Sequence, residues 1–291
     1  MADGHPAFPD NWIVEFIDAT MSNNYGSVPF LALDIGSNLG LVSLRLLQKG
    51  AHLIAVEPQV DLCCAGLASA IYNGFGGKTL QLCGGASVGK IEPDAMLHVP
   101  DHAYRYGAEA GYAAKSLDAH GLPHDSPLYP LDTILDLTPM MGSHFAFIKI
   151  DTDSIDCLIL RQLLDRQRNM DLSFNSAALE VWAGPHCDSN EQFSQLLFDL
   201  QEDGYDIYRT PAVSGGESLI SPPGMYPVRD DYPTLTESRV DLGQTTLLLF
   251  KRFSLDEWKE VPKLWTTQNQ MAVTKVNSSI LSSFYDRMEA K

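Results

Sequence analysis

The chain has 291 residues, 45% hydrophobic and 20% charged, an ordinary composition for a soluble globular protein with room for one large domain or two small ones. Its formal net charge of −17, from 20 basic and 37 acidic side chains, argues against nucleic acid and anionic membranes as partners, because phosphate contact relies on clustered Lys and Arg. No apolar run reaches the length of a transmembrane helix, and the opening MADGHPAFPDNW has neither the basic nor the apolar segment of a secretory signal.

In chain order, residues 10–21 place Trp12, Ile13, Phe16 and Ile17 at helical spacing, and SNNYGSVP over 22–29 reads as a loop. Residues 30–59, FLALDIGSNLGLVSLRLLQKGAHLIAVEPQ, then predict strand, glycine turn, helix and strand. The first apolar run closes on Asp34, Gly36 and Asn38, the helix stops at Gly50, and the second run ends in Glu57 and Pro58. A strand, a glycine-bearing turn and a helix N-terminus suit a nucleoside-bearing ligand. An acidic residue about 20 positions on can accept hydrogen bonds from ribose hydroxyls.

The dinucleotide fingerprint G-x-G-x-x-G is missing, since Asn38 stands at its second glycine and Leu41 at its third. The second glycine lets backbone approach a pyrophosphate, so its loss argues against NAD or FAD. D-I-G-S-N-L-G fits a ligand without phosphates, such as S-adenosyl-L-methionine. There Asp34 would meet the ammonium or order the turn, while Gly36 and Gly40 would leave room for the amino-acid moiety. The alternative is a plain strand-to-helix turn in some other α/β protein.

Residues 60–72 predict a helix stopped by Asn73-Gly74, and 79–83 a third short strand. Periodicity then vanishes over 87–130, a Gly/Pro-bearing segment with Tyr104, Tyr106 and Tyr112; a connection this long is functional or disordered. The pairs His98/His102 and His120/His124 have helical metal-ligand spacing, but Pro100 and Pro123 interrupt both, and no metal is expected. A short helix follows over 131–137, then a strand over 145–150, the acidic turn Asp151-Thr152-Asp153, and a helix with Ile155, Leu158, Ile159 and Leu163 on one face. Strands over 177–182, 205–208 and 245–250 complete the pattern, with a helix over 191–202 and a Pro/Gly-rich loop over 210–243.

Alternating strands and helices predict a three-layer α/β fold around a mostly parallel sheet with right-handed crossovers. No helical pattern separates the last two strands, so the final one should run antiparallel beside its predecessor. In the tail, Trp258, Leu264 and Trp265 would dock on the body and 280–288 would form a terminal helix. The expected organisation is an N-terminal helix and loop over 1–29, a main domain over 30–252 with insertions 87–130 and 210–243, and a tail over 253–291. Five cysteines (Cys63, Cys64, Cys83, Cys157 and Cys187) without a C-x-x-C pair predict reduced thiols in a cytoplasmic protein, with Cys63 and Cys64 as small apolar fillers.

The segments DIGSNLG, AVEPQ, LDTILD, FIKIDTDSIDCLIL and LEVW, in this order over roughly residues 30–210, resemble the FkbM-type S-adenosylmethionine-dependent methyltransferases. The resemblance implies the class I methyltransferase fold, a Rossmann-like seven-stranded sheet with its last strand antiparallel, and O-methylation of a sugar or other small-molecule hydroxyl. Position by position it implies a cofactor turn of Asp34, Gly36, Asn38 and Gly40. Glu57, beside Pro58, would hold the ribose hydroxyls, and Asp151 would face the cofactor amine or the acceptor. The family usually has x-Glu-Gly after that aspartate; this chain has Thr152-Asp153-Ser154.

Methyl transfer from a sulfonium is an in-line displacement governed by positioning, and a hydroxyl acceptor needs a group to take its proton. Ligands of open α/β sheets sit beyond the carboxyl ends of the strands, where Asp151, Asp153 and His186 fall. Asp151 could instead only bind the cofactor amine, Asp153 only cap the next helix, and His186 only decorate a surface loop. Both insertions leave carboxyl ends of strands and would cover the acceptor as a lid, with the first loop's tyrosines as contact surface. A catalytically silent binding module is the competing function. A nicotinamide oxidoreductase lacks its glycines, and the Asn/Asp-Pro-Pro-aromatic turn of many amine methylases is missing.

Overall fold

The computed structural model describes residues 13–14, 16–18, 21, 30–92, 95–99, 124–137, 143–152, 155–169, 171–181, 190–209, 226–227 and 245–251. In chain order the elements are β1 (Phe30–Ile35), α1 (Leu41–Gln48), β2 (Ala51–Glu57), α2 (Val60–Tyr72), β3 (Thr79–Cys83), β4 (Gly85–Ser87), β5 (Met96–Val99) and β6 (His124–Pro130). The second half adds α3 (Leu131–Asp136), β7 (Ser143–Ile150), α4 (Asp156–Arg168), β8 (Leu172–Val181), α5 (Asn190–Glu202), β9 (Tyr205–Arg209), β10 (Tyr226–Pro227) and β11 (Thr245–Lys251). Residues 13–14, 16–18 and 21 are helical and bury Ile13, Phe16 and Ile17, as their spacing predicts, together with Met21; Trp12 lies outside the described residues.

The main sheet runs β10-β9-β11-β8-β7-β1-β2-β3. β1 pairs in parallel with β2 and β7, β2 with β3, and β7 with β8. β11 is antiparallel to both β8 and β9, so the expected antiparallel strand is present beside β9. Central strands of such a sheet are covered on both faces, which is why β1, β2 and β7 read as near-continuous apolar runs.

Strand pleating sorts their side chains into two cores. Leu33, Ile35, Ile54, Val56, Ile148 and Ile150 face α3, α4 and α5 through Ile134, Leu160, Leu163, Phe193 and Leu197. Ala32, Leu53, Ala55, Phe147 and Ala178 face the opposite layer, made of the N-terminal helical residues and α1. Tyr205 closes one end of the first core, its ring 5.0 Å from that of Phe174 and its hydroxyl 2.7 Å from the Phe174 carbonyl.

Two expectations are corrected. The pattern-free segment 87–130 is bounded by strands, with β6 parallel to β4 and antiparallel to β5 in a small second sheet. These strands are short, and Pro127 and Pro130 break the alternation of β6, so periodicity could not reveal them. The thiols are not all reduced: Cys63 of α2 and Cys83 of β3 form a disulfide, and Cys157 is also disulfide-bonded, while Cys64 keeps its thiol. Packing α2 onto β3 brings the Cα atoms of Cys63 and Cys83 to 5.5 Å, a proximity that a 20-residue spacing does not encode.

Tyr104, Tyr106, Tyr112, His102, His120, most of 210–243 and the tail from 252 lie outside the described residues. Among the described residues no helix is long and apolar enough to cross a membrane.

Candidate functional site

On the sheet face that carries Ala32, Ala55, Phe147 and Ala178, the next residue of the same parity toward each carboxyl end is charged. These residues are Asp34 on β1, Glu57 on β2, Lys149 on β7 and Glu180 on β8, all buried. Asp151 follows β7, and the register pairing Ile150 with Leu179 sets Asp151 beside Glu180. Strand order reverses between β1 and β7, the place where open α/β sheets bind ligands.

The turn after β1 is folded back onto β2. The Gly36 and Ser37 amides donate to the Val56 carbonyl at 2.9 and 3.0 Å, and the Asn38 amide donates to Glu57 Oε2 at 2.8 Å. The second oxygen of Glu57 accepts the Gln59 amide at 2.9 Å. Asn38 adopts φ +50°, a left-handed conformation that asparagine tolerates better than most side chains. Burial pushes the Glu57 carboxyl up to about 7, against the lowering effect of the Gln59 and Asn38 amides.

The two glycines of the turn have different reasons. Gly36 has φ +79°, and a Cβ there would lie 1.6 Å from the Asp151 carbonyl oxygen, so the space it leaves is filled by backbone of the neighbouring strand. Asp151 N–H in turn donates to the Ile35 carbonyl at 3.0 Å. Gly40 precedes α1 with φ +82°, and since a Cβ there would meet Gly66 of α2 only at an ordinary contact of 3.4 Å, it is the left-handed backbone that favours glycine.

Asp34 is fully buried; its Oδ2 accepts the Ser43 hydroxyl at 2.6 Å, and its Oδ1 lies 3.8 Å from Lys149 Nζ. Lys149 Nζ donates to the Gly36 carbonyl and to Asp151 Oδ2, each at 2.7 Å. The Asp151 side chain is 27% exposed, against 3% for Lys149 and 0% for Asp34, so Asp151 is the member of this ion cluster that opens to solvent. Burial by itself would raise the Asp151 pKa, but the Lys149 charge and hydrogen bonds with Glu180 and Lys149 hold it below the usual carboxylate range.

Pro58, the last of the expected cofactor residues, is buried at the start of α2, and its carbonyl accepts the Ser126 hydroxyl from β6. The Gly84 amide donates to the Glu57 carbonyl at 2.9 Å. The chain just ahead of the first insertion and the insertion's last strand are therefore both fastened beside Glu57. Just before α4, Thr152 Oγ1 accepts the Ile155 amide at 3.3 Å and Asp156 Oδ1 accepts the Thr152 amide at 2.6 Å, a reciprocal pair of bonds across the turn into the helix. Asp153 and His186 lie outside the described residues.

Lys149, Glu180 and Ser126 were not among the expected site residues. For the first two a signal existed: one charged residue inside each of the apolar strands FIKI and ALEV. Among the described residues no group of three or more His, Cys, Asp and Glu is placed to hold a metal ion.

Neither a protein-family profile nor a curated protein matches this sequence. Similar solved structures include an O-methyltransferase from Bacillus cereus in complex with SAH, at 8% identity and TM-score 0.43, covering 86% of this chain and 84% of that one. A putative rRNA-methylase from Clostridium thermocellum has 7% identity and TM-score 0.42, with coverages of 86% and 99%. The METTL16 methyltransferase domain has 11% identity and TM-score 0.42, with coverages of 86% and 70%. Likenesses this remote say nothing about chemistry, which must be read from strand order and from the residues at the strand ends.

Proposed function

We propose that the chain is an S-adenosyl-L-methionine-dependent methyltransferase that acts on a hydroxyl of a sugar or other small molecule. The observation that carries this reading is the closure of the β1 turn onto buried Glu57, beside the reversal of strand order. The donor set fits the cofactor. Each Glu57 oxygen accepts one backbone amide, and a carboxylate has about four acceptor sites in all, which leaves capacity for two ribose hydroxyls. Asp151, ionised and open to solvent, suits the α-ammonium.

The cofactor would supply a methyl group on a positively charged sulfur. The chain's own part is to hold the ribose at Glu57, to hold a cation at Asp151, and to align an acceptor from the opposite side. Asp151 is a weak base because Lys149 stabilises its ionised form, so proton removal from the acceptor falls to Asp153 or His186. The insertions 87–130 and 210–243 would cover the acceptor, the first from its anchor at Pro58. The resemblance to FkbM-type enzymes and the net charge of −17 favour a small-molecule or glycan hydroxyl over RNA. The Cys63–Cys83 disulfide favours an oxidising compartment over the cytoplasmic location expected from free thiols.

A catalytically silent nucleoside-binding module is the second reading, favoured by Thr152-Asp153-Ser154 in place of the family's x-Glu-Gly. Calorimetric titration with S-adenosylmethionine and S-adenosylhomocysteine, on the wild type and on Glu57→Ala, tests both. Wild-type binding that Glu57→Ala abolishes supports the site, and no wild-type binding overturns both readings. Binding without transfer to any of a panel of hydroxyl acceptors selects the silent module.

A further inference from the structure

Lys149 stands where the pleat would place an apolar side chain, in line with Phe147 on a face that also carries Ala32, Leu53, Ala55 and Ala178. It is the only buried lysine or arginine among the described residues. A buried ammonium is costly unless charges and hydrogen bonds compensate it. Here the compensation ties the end of β7 to β1 and the turn that follows it. One N–H bonds the Gly36 carbonyl in the β1 turn, another bonds Asp151 Oδ2 at the end of β7, and Asp34 Oδ1 stands 3.8 Å away.

We propose that Lys149 is a positioning residue that fixes Asp151 as the anchor for a cationic group of the bound ligand, by joining that carboxylate and the β1 turn to a single ammonium. The proposal rests on the cofactor reading above and adds to it the residue that decides how Asp151 is used. With Oδ2 held by Lys149 at 2.7 Å, the carboxylate is tethered while part of the Asp151 side chain stays exposed. Among the described residues, the charged groups facing Asp151 are Lys149 on β7, Glu180 on β8, Asp34 on β1 across the lysine, and Glu57 on β2. Only one of these is a cation, and its charge is the largest influence that keeps Asp151 ionised against burial. Without it burial and the neighbouring Asp34 and Glu57 would favour protonation of Asp151, with only the Glu180 hydrogen bond opposing. A protonated Asp151 binds no ammonium.

The test compares two probes on the full chain: S-adenosylhomocysteine, which carries the α-ammonium, and 5′-methylthioadenosine, which lacks the amino-acid moiety. Lys149→Met should weaken the first by about tenfold or more and the second by less than about threefold, the size expected for one charge-assisted contact. The pH below which S-adenosylhomocysteine affinity falls should move upward in the same variant. Lys149→Arg, which keeps the charge, should recover most of the difference between the probes. Lys149→Gln can still donate to the Gly36 carbonyl and serves if the methionine variant does not fold. A folded Lys149→Met or Lys149→Gln protein with the wild-type affinity ratio overturns the proposal.

If the wild type binds neither probe, the cofactor reading falls and the Lys149 inference is judged separately, by carbon-13 titration of the Asp151 carboxyl. An upward move of that titration in the variant supports the positioning role; an unchanged titration overturns it.

Discussion

The carboxylate of Glu57 receives the backbone N–H of Asn38, 19 residues earlier, at 2.8 Å, so one buried side chain both ends β2 and closes the turn after β1. A charge in such a place has a thermodynamic consequence that can be measured.

Burial carries the Glu57 pKa from 4.5 to about 7, which corresponds to about 3 kcal/mol between the protonation states. A carboxyl whose folded pKa is raised stabilises the fold fully below its unfolded pKa, and that contribution is lost as pH rises through the folded value. Urea unfolding should therefore show the wild type losing about 3 kcal/mol more than Glu57→Gln between pH 4.5 and 8. Parallel pH profiles for the two proteins would contradict the buried placement of this carboxyl.

Gly36→Ala should be severe for a reason separate from its positive φ. Its Cβ would overlap the Asp151 carbonyl at 1.6 Å, whereas a Cβ on Gly50, at φ +100°, would meet no atom within 4 Å. Gly50→Ala should cost about 1 kcal/mol, the left-handed penalty alone, and Gly36→Ala about 3 kcal/mol or more. Equal losses in denaturant titrations would remove the close approach of β1 and β7 as the cause.

Linking Cys63 to Cys83 closes a loop across 20 residues, and chain-entropy reasoning assigns such a link about 3 kcal/mol. The double variant Cys63→Ser/Cys83→Ser should unfold at lower denaturant by that amount. Peptide mapping without reductant should recover the two cysteines in one cross-linked fragment. Separate fragments with free thiols, and no loss of stability in the variant, would restore the reduced state expected from the cysteine pattern.

His144 places Nδ1 2.7 Å from the Ser173 hydroxyl and Nε2 2.7 Å from Asn175 Nδ2. Burial first, and then the positive charge of Lys251, push its pKa down to about 4. A histidine with a depressed folded pKa contributes stability that is present above about 6.5 and is lost as pH falls through about 4. Imidazole resonances followed by NMR should stay unchanged from pH 7.5 to 5.5 and move only in the acid limb. A midpoint near 6.5 would mean that water reaches the ring.

The motif-bearing half of the candidate site was legible because its signals are local. Apolar runs of strand length, a turn of Gly36, Asn38 and Gly40, and an acidic residue at the end of the next run all fall within residues 30–59. The helical spacing of Ile13, Phe16 and Ile17 was legible in the same way, and all three are buried. Short strands interrupted by proline carry too few alternations to be read, and so β6 and its seat on Pro58 were not visible.

By itself, then, the sequence determined the βαβ unit from β1 to β2, the alternation that makes the sheet mostly parallel, and the antiparallel course of β11, because each follows from the order of strand and helix patterns along the chain. Only the tertiary structure decided what stands around the ligand-facing carboxylate. The Lys149–Gly36 bond joins residues 113 positions apart, and Cys63 meets Cys83 only once α2 packs on β3. Such contacts depend on which strands become neighbours, a choice made by burying two apolar faces at once, and no local pattern along the chain records it.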